Sequence, residues 1–134
     1  MDLVIGRTLC YHDVPAELQK LMTPSQLFYE SSTALVEAAH AAAGSCHIGT
    51  IATGDQFISN AQAKQEIHLR TGALCVDMES AAVAQAAWLA KVPFVVLRCI
   101  SDLANAEADA DFQQQGSQAA ERAAQVICRM VLAM

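Results

Sequence analysis

Apolar positions fall into short runs whose period changes along the chain. Leu3 to Cys10 is rich in aliphatic and β-branched residues and predicts a strand. Pro15 and Pro24 bracket an irregular stretch, and Thr23-Pro24-Ser25-Gln26 has the form of a capping box with Pro at the first helical position. Ser31-Ser32 is a second start signal, ahead of Leu35, Val36 and an Ala-rich run. It predicts a helix from about Thr33 to Ala43, ended by Gly44, with its earlier extent open. Cys46 to Thr53 predicts a second strand, running into Gly54-Asp55. Ser59-Asn60-Ala61-Gln62 repeats the capping-box pattern, and with Gly72 as stop gives a helix from about Asn60 to Arg70. Ala73 to Met78 predicts a third strand and Ala81 to Ala90 a helix, broken by Lys91-Val92-Pro93. Phe94 to Ile100 is almost wholly apolar and predicts a central strand covered on both faces. Residues 103–115 are polar and acidic and read as a loop. Gly116-Ser117 then opens a last helix to about Met130.

Strands alternating with helices predict an α/β fold, a three-layer α/β/α arrangement on a mostly parallel sheet. The 134 residues are expected to form a single domain, 1–134, and 54% hydrophobic content excludes disorder as the default state. Strand-forming residues begin almost at the first position, which reads as a domain lacking strands upstream.

Charge and cysteine usage narrow the function classes. Eight basic and 14 acidic residues give a net charge of −6, which argues against nucleic acid and anionic membrane surfaces as partners. The apolar stretch from Ala81 to Ile100 is interrupted by Gln85, Lys91, Pro93 and Arg98, so no spanning helix is expected. Met1 to Arg7 has neither a basic n-region nor an apolar core, so no signal peptide is expected, and a cytoplasmic location is. The five cysteines (Cys10, Cys46, Cys75, Cys99, Cys128) are odd in number and form no CxxC, which favours reduced core thiols over disulfides or zinc. His12, His40, His47 and His68 have no ligand spacing, so no metal is expected. They read as surface or satisfied polar residues.

Candidate chemistry collects where strands end. In open α/β sheets ligands bind beyond the carboxyl ends of the strands. Here those ends carry Gly54-Asp55-Gln56-Phe57-Ile58, Asp77-Met78-Glu79-Ser80 and Arg98-Cys99-Ile100-Ser101-Asp102. The plain alternatives are a helix cap or loop anchor for Asp102 and a first-turn acid favoured by the helix dipole for Glu79. Phe57 is either core or a stacking surface, and Arg98 either an ion-pair partner of Asp77 or Glu79 or a ligand contact.

The segments GTIATGDQFI, CVDMESAAVAQAA and PFVVLRCISDLAN, in that order, resemble later motifs of the purine nucleoside phosphorylase superfamily, most nearly the nucleosidases that cleave 5′-methylthioadenosine and S-adenosylhomocysteine. LVIGRTLCYHD resembles the strand that precedes them. The likeness covers essentially the whole chain, but only the later half to two-thirds of the family's domain.

The resemblance implies roles residue by residue. Asp102 would protonate N7 of the departing purine, with Ser101 orienting it. Glu79 would bind the ribose 2′- and 3′-hydroxyls, Met78 would pack on the sugar, and Arg98 would lie near the ribose and attacking water. Phe57 would stack on adenine, the backbone at Ile58 would read the base edge, and Phe112 would close the 5′-substituent side. A free Asp has a pKa of about 3.9, so a proton donor there needs desolvation. No cofactor or metal is implied. Some phosphorylases of the family carry an Arg shortly after the Ser-Asp pair; residues 103–121 contain no Arg or Lys, which favours water as the acceptor.

The family's water-activating Glu lies on an earlier strand, and no glutamate here stands in a matching context. The resemblance therefore leaves three readings: a methylthioadenosine or adenosylhomocysteine nucleosidase when its site is completed, an inactive remnant serving nucleoside binding or assembly, or a related purine nucleoside hydrolase. Family members are commonly dimers, and a homo-oligomer, with a small purine nucleoside as ligand, is expected.

Overall fold

β1 (Leu3–Tyr11) is the strand on which the other elements assemble. A computed structural model describes residues 2–22, 26–100 and 109–134, with backbone alone for 109–115. Along one edge β1 pairs in parallel with β3 (His47–Thr53), from Val4↔His47 to Tyr11↔Thr53. β3 pairs in parallel with β4 (Ala73–Asp77). The opposite edge of β1 carries two short antiparallel partners. β5 (Val96–Cys99) covers its first half, and the two-residue β2 (Tyr29–Glu30) covers Thr8 and Leu9. The fold is α/β with a mixed, mainly parallel sheet.

A bulge in β1 decides which residues face which layer. Between Gly6 and Thr8 the register against β3 slips by one residue. Before it, Leu3 and Ile5 face one side and Val4 the other; after it, Cys10 joins the first side and Leu9 the second. One extra residue thus inverts the alternation, and both halves of the strand stay apolar on both faces.

The helices cover those faces unequally. α2 (Thr33–Ala43) and α5 (Asp109–Ala133) bury Val36, Ala39, Ala119, Val126 and Met130 against Leu3, Ile5 and Cys99. α3 (Ala61–Thr71) places Ile67 against Cys10, Ala52 and Ala73. α4 (Ser80–Ala90) lies on the other face, where Ala81 and Ala84 meet Val4, Leu9 and Ile51. The small alanines bring the helix close to the sheet, and the Tyr11 hydroxyl donates to Gln85 Oε1 at 2.7 Å. Ser32 caps α2, its hydroxyl oxygen accepting from Leu35 N–H, and Gly72 ends α3 in the left-handed region at φ 74°.

Several boundaries differ from the sequence reading. Phe94 to Ile100 was expected as a central strand, yet among the described residues β5 pairs with β1 alone, and antiparallel. Phe94, Val96 and Ile100 pack on the α4 side and Leu97 and Cys99 on the other, so both faces are covered. Facial coverage makes a run apolar without fixing its place in the sheet. The loop expected over 103–115 is helical from Asp109. Acidic residues suit a helix N-terminus, and one interior glycine, Gly116, costs only about 1 kcal/mol. Thr23, Pro24 and Ser25 lie outside the described residues, and Gln26–Phe28 are not helical. The chain instead enters β2, where Tyr29 is fully buried, and the preceding helix is the single turn α1 (Ala16–Gln19). The cap of α3 is Asn60, not Ser59: its Oδ1 accepts from Ala63 N–H at 2.7 Å.

Candidate functional site

The ends of β3 and β4 lie side by side, with Thr53 paired to Asp77. Asp77 is buried and turned inward. Its Oδ1 accepts from Thr53 Oγ1 at 2.6 Å and from Ser80 N–H at 3.2 Å, and its Oδ2 accepts from the Ser80 hydroxyl. Thr53 Oγ1 in turn accepts from Ala81 N–H at 2.9 Å. Two strand-end side chains thus satisfy the first amides of α4, which otherwise have no partner inside the helix. The Asp77-to-Ser80 interval is an N-cap spacing, so the sequence carries a local signal for this network.

With Asp77 committed, the next two residues project outward. Met78 is 43% exposed and Glu79 is exposed, its carboxylate with no hydrogen-bond or ion-pair partner among the described residues. They stand in a cleft of about 540 Å³ that follows β4 from Ala73 to Glu79. α3 contributes Lys64, Gln65 and His68 to its wall, the loop after β3 contributes Gln56, Phe57 and Ile58, and the end of β5 contributes Arg98, Cys99 and Ile100.

The cleft therefore brings together Phe57, Ile58, Met78, Glu79 and Arg98. It does so along the sheet and not at one common strand end. Because β5 is antiparallel, Cys99 stands beside Leu3, at the end of the sheet where β1 begins. Ile100 N–H donates to Asp2 O at 2.8 Å and fixes that end. Phe57 is 65% exposed, which removes the core-packing alternative; Ile58 is half-buried against Cys10, Ala52, Ile67 and Ala73. Arg98 makes no ion pair with Asp77 or Glu79. Ser101, Asp102 and the side chain of Phe112 lie outside the described residues.

The cleft residues from α3, together with Leu74 and Cys75, were not anticipated. Nothing local marks them, since they reach the site through the packing of α3 beside β4. His12 also departs from expectation: its ring is buried, its Nε2 has no partner among the described residues, and burial lowers its pKa below the usual 6.5. Cys10 and Cys99 are buried as expected, whereas Cys128 is exposed, because α5 turns Val126 and Met130 inward. Burial pushes the Cys10 thiol up to about 11. Among the described residues no group of three His, Cys, Asp or Glu could hold a metal ion, and no helix is long and apolar enough to cross a membrane.

Comparison with known proteins identifies the family. Residues 1–132 match the phosphorylase superfamily. The chain belongs to that superfamily. It is 36% identical over 140 residues to a 5′-methylthioadenosine/S-adenosylhomocysteine nucleosidase of Bacillus licheniformis, a match that covers 97% of this chain and 61% of that one. The crystal structure of the Streptococcus pneumoniae MTA/SAH nucleosidase in complex with 8-aminoadenine superposes with a TM-score of 0.87 at 34% identity, over 99% of this chain and 61% of that one. The native futalosine hydrolase of Helicobacter pylori gives a TM-score of 0.87 at 31% identity, over 99% and 60%. This superfamily chain thus spans about three fifths of the length of the relatives it matches.

Proposed function

We propose that the chain forms the base- and ribose-binding part of a purine nucleoside hydrolase, acting on methylthioadenosine or adenosylhomocysteine when its site is complete. The observation that carries this reading is the cleft along β4, where Phe57, Ile58, Met78, Glu79 and Arg98 meet, with the Glu79 carboxylate unpaired among the described residues. Similarity to nucleosidases across nearly the whole chain supports it.

In this reading the adenine lies on Phe57, with the Ile58 backbone at its edge. Asp102, oriented by Ser101, delivers a proton to N7, so the base leaves neutral instead of as an anion. The ribose gains oxocarbenium character as the glycosidic bond breaks. Glu79 accepts from the 2′- and 3′-hydroxyls, and its negative charge stabilises that cation. Met78 packs on the sugar, Arg98 lies near the attacking water, and Phe112 closes the 5′ side. Asp77 takes no part in the chemistry; it holds α4 so that Met78 and Glu79 face the cleft.

Water must lose a proton as it attacks, and the described cleft residues offer no carboxylate for this beyond Glu79 and the committed Asp77. That observation favours a second reading, in which the chain binds nucleosides or assembles without hydrolysing them. Likeness to futalosine hydrolase favours a third, with another purine nucleoside as substrate. We further propose a single domain, a cytoplasmic protein of methionine salvage, and a homodimer. Exposed Leu18, Leu21, Leu27 and Phe28 on and after α1 support association.

Adenine release from methylthioadenosine, measured alongside Asp102→Asn, tests the reading. Release by the parent and its loss in the variant supports hydrolysis. Equal release by both marks a contaminant, and none from either leaves the binding reading.

A further inference from the structure

The loop carrying Phe57 and Ile58 is held from below by a pair of residues outside the cleft. Beyond the paired ends of β1 and β3 the ladder continues for one step. His12 N–H donates to Thr53 O at 2.9 Å, and Gly54 N–H donates to Asp77 O at 3.1 Å. This brings His12 beside Gly54, and the imidazole lies flat on the glycine. A Cβ at Gly54 would stand 2.9 Å from ring Nδ1 and closer still to Cε1 and Nε2, so no other residue fits without moving the ring. The adjacent Asp13 accepts from Asp55 N–H through Oδ2 at 2.8 Å, and Arg70, from the last turn of α3, donates to His12 O at 3.1 Å.

Two anchors result. Gly54 and Asp55 are fixed by His12 and Asp13, while Ile58 is fixed by its apolar contacts with Cys10, Ala52, Ile67 and Ala73. Gln56 and Phe57 span the interval over the cleft. Phe57 is 65% exposed, so burial alone does not fix its place.

We propose that His12, seated on Gly54 and assisted by Asp13, is a positioning residue that preorganises the 54–58 loop as the platform for the purine base. The proposal rests on the base-site reading of Phe57. A platform already ordered before binding avoids the entropic cost of ordering a loop on the ligand, so its effect appears in base affinity.

The test compares the full chain with Gly54→Ala, His12→Ala, the double variant and Asp13→Ala. It reads site-resolved amide exchange and adenine affinity by calorimetry. Gly54→Ala and Asp13→Ala are expected to speed exchange at Asp55–Ile58 and to weaken adenine by about tenfold, the effect of one lost net contact. Protection in the cores of β1, β3 and β4 stays at parent values. The double variant is expected to be less impaired than the two single effects combined, because removing the ring makes room for the methyl.

Additive effects in the double variant would overturn the proposal. So would unchanged exchange at Asp55–Ile58, or loss of protection spread evenly over the sheet. Asp13→Ala keeps the test decisive if Gly54→Ala does not fold, since Asp13 is exposed. Phe57→Ala separates the two claims: if it leaves adenine affinity unchanged the base-site reading fails, while exchange and coupling still decide whether His12 positions the loop.

Discussion

The Thr53 hydroxyl donates to Asp77 Oδ1 at 2.6 Å and accepts from Ala81 N–H, so one side chain joins the end of β3, the end of β4 and the first turn of α4. Removing that hydroxyl takes one of two donors from a buried carboxylate oxygen and leaves the buried Ala81 amide without its acceptor. Thr53→Val keeps the shape and is expected to cost about 2–3 kcal/mol. Urea denaturation measures it; a midpoint within error of the parent would contradict the role assigned to the pair.

Glu79 sits two residues further on, and its exposure separates binding from stability. Glu79→Gln should leave the unfolding free energy from urea denaturation within about 0.5 kcal/mol of the parent. It should weaken binding of a non-hydrolysed methylthioadenosine analogue by about tenfold or more, the worth of hydrogen bonds to a charged acceptor. Affinity for free adenine, which has no ribose hydroxyls, should be unchanged. Calorimetry with the two ligands checks this; equal weakening of both would place Glu79 away from the sugar.

His12 gives stability a pH dependence of definite sign. Burial lowers its folded pKa below 6.5, with Asp13, Asp77 and Arg70 as the charged groups acting on it. Above about 6.5 the ring is neutral in both states and contributes no slope. As pH falls below that value the unfolded chain takes up a proton that the folded chain resists, so stability drops until the folded value is passed. The slope is at most about 1.4 kcal/mol per pH unit. Urea midpoints at successive pH values between 7.5 and 5 should fall more steeply for the parent than for His12→Gln; parallel curves would contradict it.

Thiol chemistry distinguishes the cysteines. Cys128 is exposed on the outer side of α5, whereas Cys10 is buried with its pKa raised to about 11. Under native conditions a maleimide should label Cys128 first and leave Cys10 unlabelled, as peptide mass spectrometry would show. Labelling of Cys10 at a comparable rate would show that β1 opens locally.

What the sequence made legible was the local grammar. Ser32, Asn60, Gly44 and Gly72 set helix ends through capping and positive φ, and the apolar runs located four of the five strands among the described residues. Tyr29–Glu30 escaped because two residues carry no periodicity; only pairing with Thr8 and Leu9 makes them a strand. The direction of β5 escaped for a related reason, since hydrophobicity reports coverage of faces and not strand order. The motif residues Phe57, Ile58, Met78, Glu79 and Arg98 do meet in one cleft, but the α3 wall and the seat of His12 on Gly54 depend on contacts between residues far apart in the chain.

The central claim, that the cleft along β4 receives the purine base, is tested most directly by titrating adenine into the isotope-labelled chain and mapping backbone amide shifts. The shifts are expected to concentrate at residues 56–58, 75–79 and 98–100. Shifts confined to the α2–α5 face, or none at saturating adenine, would contradict it.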